Sequence, residues 1–390
     1  MKQNVFSFLL LNRPLALLTV VCSLLLALPI LTVASHLLSG SLSVWQHLYE
    51  TVLWDYLYNS WWLMLGVGLG VLIIGVPAAW LTSLCDFPGR DFFTWALLLP
   101  LAVPAYIIAY TYTGMLDFSS PLQTAMRSWL GDDWFFNIRS LPGAIVMLTL
   151  VLYPYVYLLG RTAFLEQSAS IVEASRTLGY NYRQTTMRLV LPMARPAIVA
   201  GLTLALMETL ADFGTVQYFG VSTFTTGIFR AFYGFGDVAA ASQLSSILLS
   251  FVVVLILLER YSRRQIRYHT VKGKTSQRIR LTGMKAALAI VACGLPFLFG
   301  FLIPALQLLY WSLVKANIDS DFAVLAWNSF SLAFMAAVIA VFMALLLAYA
   351  KRFYQRKKVI GAAVAMSSMG YALPGTIIAI GVIVPFSWLD

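Results

Sequence analysis

Long apolar runs alternate with polar segments along the chain, and nine of them reach the length, about 20 residues, that carries a helix across a bilayer. They cover 14–35, 60–83, 92–115, 141–160, 196–217, 240–259, 285–312, 329–350 and 359–385. Aromatic residues gather near several of their ends, with Trp45, Trp54, Trp61 and Trp62 around the start of the second run. Trp129 and Trp134 precede the fourth, Trp311 lies at the end of the seventh and Trp327 just before the eighth. Such rings are favoured at the headgroup level. The first run is too long for a cleaved signal peptide and lacks a small-residue cleavage pattern after it. The pattern predicts an all-α, polytopic membrane protein of about nine transmembrane helices.

Composition strengthens that expectation. Of the 390 residues, 60% are hydrophobic and 11% charged, with mean hydropathy +0.82, against about 45–50% and about 25% in soluble globular domains. So few charges cannot cover a water-facing surface, so the lipid bilayer is the first expected partner. The formal charge of +10 is uneven. With a cytoplasmic N-terminus, 22 of the 26 Lys and Arg fall on inside segments, nine of them in 260–285. That bias sets orientation in a membrane; it argues topology, not nucleic-acid binding. Cys22, Cys85 and Cys293 lie within or beside apolar runs at spacings that suit neither a disulfide framework nor a metal site.

An internal repeat organises the spans. Asn59-Ser60 opens the second and Asn328-Ser329 the eighth, an offset of 269. Ala102-Val-Pro-Ala-Tyr-Ile-Ile-Ala-Tyr110 in the third matches Ala372-Leu-Pro-Gly-Thr-Ile-Ile-Ala-Ile380 in the ninth at an offset of 270, with five of nine positions identical. Six spans separate the copies, so both point the same way through the membrane as parallel repeats. The expected organisation is a six-helix unit at 1–260, a basic cytoplasmic linker at 261–284, and a partial second unit of three spans at 285–390. By this symmetry the chain is expected to be a truncated or partial form of a longer two-unit protein.

The inside segment 166–192 is too polar to insert. Ser170 with Glu173 three residues on forms a capping-box pattern, and Gly179 supplies a left-handed helix stop. Asn181 with Gln184 starts a second short helix that Pro192 is expected to end or kink. Within it, Glu173-Ala174-Ser175, three residues, Gly179, nine residues, Leu189, one residue and Leu191-Pro192 resembles the EAA loop of ABC importer permeases. Ser175 for Ala and Leu189 for Ile depart mildly from that pattern. The stretch Leu206-Met-Glu-Thr-Leu-Ala-Asp-Phe-Gly-Thr-Val-Gln-Tyr-Phe219 with Thr225-Thr-Gly-Ile-Phe-Arg230 resembles more narrowly the fused two-unit permeases of ferric-iron importers. The resemblance implies that Glu173, Ala174, Ser175, Gly179, Leu189, Leu191 and Pro192 form a coupling helix seated on a pair of cytoplasmic ATP-binding subunits. It also implies a periplasmic or extracellular solute-binding protein, a bacterial inner-membrane location and no bound cofactor. Permeases for thiamine, polyamines, sulfate and phosphonates share the broader pattern and stay open as alternatives.

Two further features bear on chemistry. Gly273-Lys274-Thr275 resembles the tail of a phosphate-binding loop, but Tyr268 stands where that motif needs glycine. ATP hydrolysis is therefore expected on another chain, with no catalytic residue and no metal site in this one. Glu208 and Asp212, four residues apart in the fifth span, are candidates to line the substrate path, or else to hydrogen-bond neighbouring helices. Pro104 and Pro374 join them as candidates, because with Pro100 they are expected to kink the third and ninth spans. An ion-coupled secondary carrier would favour inverted repeats and broken helices. The parallel offset and the polar inside segment count against that class.

Overall fold

The computed structural model describes residues 3–39, 42–131, 137–166, 175, 177, 179–264, 278–315, 321–354, 357–368 and 374–386. Glu173, Ala174, the Ser170/Glu173 cap, Trp134 and Gly273–Thr275 lie outside them. Among the described residues seven helices are long and apolar enough to cross a membrane. In chain order the helices are α1 (Gln3–Ser39), α2 (Leu42–Thr51), α3 (Leu53–Leu84), α4 (Arg90–Ala96), α5 (Ala105–Met115), α6 (Pro121–Leu130) and α7 (Leu141–Glu166). There follow α8 (Tyr182–Thr185), α9 (Leu191–Ala211), α10 (Gly214–Tyr218), α11 (Phe224–Phe229) and α12 (Val238–Arg264). The last are α13 (Met284–Phe297), α14 (Ile303–Lys315), α15 (Phe322–Phe353), α16 (Lys358–Ser368) and α17 (Gly375–Phe386).

Two expected spans are broken beside a proline. The third is a bent pair, 90–102 and 105–115, turned through 90° at the break. The ninth is described as α16 and α17, with Pro374 directly before the second. In both places proline stands at the start of a helix instead of kinking its middle. There its missing N–H costs nothing and its carbonyl accepts the first helical bonds. Ile107 and Ile108 donate to Pro104 O at 3.0 and 3.4 Å, and Ile377 and Ile378 donate to Pro374 O at 3.0 and 3.3 Å. The repeat extends to helix length. Helices α3 and α15 each have 32 residues, and Asn59 and Asn328 occupy the same position along them.

The described helices pack as two compact units, residues 41–310 and residues 1–40 with 311–390. This grouping cuts the chain differently from the expected division at 1–260 and 285–390. Helix α1 packs on α15, α16 and α17, with Ser367 Oγ 2.9 Å from Ser23 Oγ. Helix α13, the first span of the second copy, packs on α3 and α4. The first span of each copy thus sits among helices of the other. Just before α13, part of the expected linker pairs with the first copy: Ile279–Arg280 forms a two-residue parallel β-pair with Cys85–Asp86.

In the 41–310 unit α3, α7 and α9 make the densest contacts, and glycines permit them. An added side-chain carbon at Gly66 would lie 2.6 Å from Ile145 Cδ1, and at Gly70 2.5 Å from Thr149 Oγ1. Such small-residue stripes let backbones approach where lipid supplies no hydrophobic drive between helices. In the other unit α15 is apolar on all sides, and only its Leu347 and Ala350 are buried.

At Gly201 the neighbour is backbone: an added carbon would stand 2.7 Å from Tyr155 O and 2.8 Å from Val156 Cα. Gly201→Ala is therefore expected to destabilise the purified protein by ~1–3 kcal/mol, since backbone cannot yield as a side chain does. At Gly361, where nothing lies within 4 Å, the same change is expected to stabilise by about 0.5–1 kcal/mol through helix propensity. Thermal unfolding in detergent separates the two.

Candidate coupling elbow and substrate path

The elbow is built from short-range hydrogen bonds around Gly179. Its φ is +84°, and nothing lies within 4 Å of where a side chain would start. Tyr180 N donates to Ser175 O at 3.1 Å, the six-residue closure of a left-handed helix stop. Two residues later the next helix begins with a reciprocal cap. Asn181 Oδ1 accepts from Gln184 N at 2.9 Å, and Gln184 Oε1 accepts from Asn181 N at 3.0 Å. A side-chain bridge ties the two helices together: Ser175 Oγ lies 2.8 Å from Thr185 Oγ1, with both residues buried. The serine that departs from the EAA pattern thus finds a partner, as a buried hydroxyl requires. Arg188 adds a guanidinium 5.7 Å from the centre of the Tyr180 ring.

Pro192 does not end the second helix. Residues 186–190 form a π-turn, and the chain runs on from it into α9. Leu191 N bonds Thr186 O across five residues, and this wider turn lets the proline ring enter without breaking the rod. Leu189 is half-buried in the π-turn, Leu191 is half-buried against the core of its unit, and Pro192 is exposed. Of the expected coupling residues, the structure thus describes Ser175 and Gly179 in the elbow and Leu189, Leu191 and Pro192 on the rod rising from it.

Glu208 and Asp212 do not share a helical face. Helix α9 stops at Ala211, and Asp212 turns extended at φ −64° and ψ 126°. Its carboxylate accepts from Thr215 Oγ1 at 2.9 Å, Thr215 N at 3.4 Å and Val216 N at 3.1 Å, and so caps α10. Its carbonyl accepts from Thr225 Oγ1 at 2.7 Å. Glu208, half-buried, takes a hydrogen bond from Tyr155. Pro104 is exposed and Pro374 buried, each at the head of its helix. The role of this set in a substrate path stays a proposal.

Sequence reasoning passed over the hairpin at 213–229 and what anchors it. Asn59 Nδ2 donates to Ser222 O at 2.9 Å, and Phe224 N donates to Ser60 Oγ at 3.4 Å. The Asn-Ser pair that marks the repeat therefore pins this hairpin to α3. Thr223 N donates to Thr226 Oγ1 at 2.8 Å, and Gly227 admits the Tyr56 ring, 2.5 Å from where a side chain would start. The dense Thr225-Thr226-Gly227 run was the available signal. Among the described residues no group of three or more His, Cys, Asp or Glu is placed to hold a metal.

The family model for the inner membrane component of binding-protein-dependent transport systems matches residues 72–268, which include the elbow, the rod and the hairpin. The chain belongs to this family. Individual relatives are similar to it in sequence. The Fe(3+)-transport system permease protein FbpB 2 of Haemophilus influenzae is 26% identical over 84% of this chain and 63% of its own length. The ferric transport system permease protein FbpB of Actinobacillus pleuropneumoniae is 26% identical over 84% of this chain and 51% of its own length. The molybdenum transport system permease protein ModB of Escherichia coli is 24% identical over 50% of this chain and 86% of its own length. This chain thus spans between half and two thirds of the iron-transport permeases it matches. A crystal structure of a bacterial alginate ABC transporter, in complex with an alginate pentasaccharide-bound periplasmic protein, shares the fold. It has a TM-score of 0.56 and 17% identity, and the match covers 70% of this chain and 99% of that chain.

Removing the Asn181 cap in this family member is expected to cost about 1 kcal/mol locally. Asn181→Ala should then speed amide hydrogen exchange over 182–190 by about five-fold, while exchange in α3 and α7 stays unchanged.

Proposed function

We propose that the chain forms the membrane path of an ATP-driven importer for ferric iron. The observation that carries the cargo is the reach of the similarity. The two ferric permeases align over 84% of this chain, whereas the molybdenum permease aligns over 50%. The coupling role rests on the elbow, where two short helix ends are locked to each other and continue without a break into a spanning rod. The rod packs tightly against α7 and α3, so force applied at the elbow travels through rigid, close-packed helices. ATP is hydrolysed by a pair of separate cytoplasmic subunits that seat on this elbow, and this chain does no covalent chemistry. A solute-binding protein delivers cargo to the opposite face. The N-terminus is cytoplasmic, as the Lys and Arg distribution supports.

In this scheme, closure of the ATP-binding subunits moves the elbow and the rod follows, which opens the path to the outside. Glu208, held by Tyr155, is a carboxylate on the outer third of the rod and contributes field to the path. Asp212 sets the shape of the hairpin.

Proline cannot adopt φ +84°, so Gly179→Pro dismantles the elbow. In cells that also make the ATP-binding and solute-binding partners, radio-iron uptake by Gly179→Pro is expected to fall at least about ten-fold, equivalent to ~1.4 kcal/mol of lost coupling, at unchanged membrane abundance. Uptake at the wild-type rate would contradict the coupling role. Glu208→Gln is expected to lower uptake without loosening the ATP-binding subunits in pull-down, whereas Asp212→Asn should lower thermal stability because it weakens the cap on α10.

A further inference from the structure

Tyr106 and Tyr110 stand one turn apart on one face of α5, and each is 52% exposed. Helix α10 runs beside them. Tyr106 packs on Gly214, where an added carbon would come within 2.9 Å of its Cβ, and the Tyr110 and Tyr218 rings meet at a centroid distance of 6.1 Å. Tyr218 in turn faces Arg139, whose guanidinium carbon is 5.3 Å from the ring centre. The order is fixed by the two helices. Starting from Asp212 at the foot of α10, the row passes Tyr106, then Tyr110 with Tyr218, and ends at exposed Arg139 just before α7. All of these residues belong to the 41–310 unit.

Phenol oxygens are hard donors, and hard donors suit a small, highly charged cation. A conducting path must also release what it binds, which favours several weak sites in series over one strong cage. A row with one phenol, or a facing pair, per helical turn meets that condition. A phenol becomes a strong ligand only by giving its proton to water, and it takes a proton back when the ion moves on. A ferric ion in neutral water carries hydroxide or another oxyanion, and a guanidinium at the end of the row is placed to receive it.

We propose that Tyr106, Tyr110 and Tyr218 form a ladder of oxygen donors for a ferric ion, with Arg139 holding the accompanying oxyanion at the outer end. This deepens the ferric-importer reading and rests on it. The competing role is an interfacial aromatic belt, whose tyrosines sit at the headgroup level without binding a trivalent ion.

The variant Y106F/Y110F/Y218F removes three hydroxyls and keeps the rings. Terbium(III) is the probe for the purified full chain, because tyrosine-sensitised emission reports a hard trivalent ion beside a phenol. The triple variant is expected to lose most of the saturable emission and to take up radio-iron in cells about ten-fold more slowly. Y49F/Y58F, two exposed tyrosines away from the row, should match wild type, and Tyr110→Phe alone serves if the triple variant fails to elute as a single species. Wild-type emission and wild-type iron uptake in the triple variant, or in Tyr110→Phe in its place, would overturn the ladder. If the wild type binds terbium through the ladder yet takes up no iron in cells with both partners present, the ladder stands as a cation site and the iron reading fails.

Discussion

Hydrocarbon offers no water to an unpaired backbone N–H or C=O, so every place where a helix breaks inside or beside the membrane must supply its own partner. That constraint explains where this protein puts its unusual residues. At the 90° turn before α5 the first free amides go to the Pro104 carbonyl, and the second copy repeats the solution at Pro374. Where α9 stops, the Asp212 carboxylate takes the amides of Thr215 and Val216. At the elbow, Asn181 and Gln184 satisfy each other and Gly179 lets Tyr180 reach back to Ser175. At each of these breaks part of the freed backbone is paired again by a residue beside it.

Much of this was readable from residue order because the signals are local. Apolar runs of bilayer length locate the spans, Gly179 marks a left-handed stop, and Asn181 with Gln184 marks a start, each within a few residues of its partner. Two matched nine-residue stretches located a repeat that the 32-residue helices α3 and α15 then extend.

What residue order left hidden depends on partners far away or on a choice between two local outcomes. Pro104 signals a disturbed helix, yet whether the span kinks or turns back depends on what α5 packs against, which is α10, more than a hundred residues later. A spacing of four put Glu208 and Asp212 on one face only while α9 was taken to continue; the extended backbone at Asp212 ends it. The grouping of α1 with α15 to α17 was equally illegible. Helices apolar on every side carry no stripe to say which neighbour they face.

The coupling proposed for the elbow rests on stiffness in series. The elbow is closed by hydrogen bonds between Ser175 and Thr185 and within the Asn181–Gln184 cap. The rod passes Pro192 on a π-turn without a break, and Gly201 lets it approach the backbone of α7 as closely as contact allows. The central claim is that the exposed side of the elbow is where the ATP-binding subunit sits. A photo-reactive side chain at Thr177, exposed on the elbow, tests it directly when irradiated in membranes that hold the whole transporter, with a second one at Trp129, 90% exposed on α6, for comparison. The account predicts capture of the ATP-binding subunit from position 177 and none from position 129. Capture of that subunit from position 129 alone would contradict both the elbow's role and the orientation of the chain.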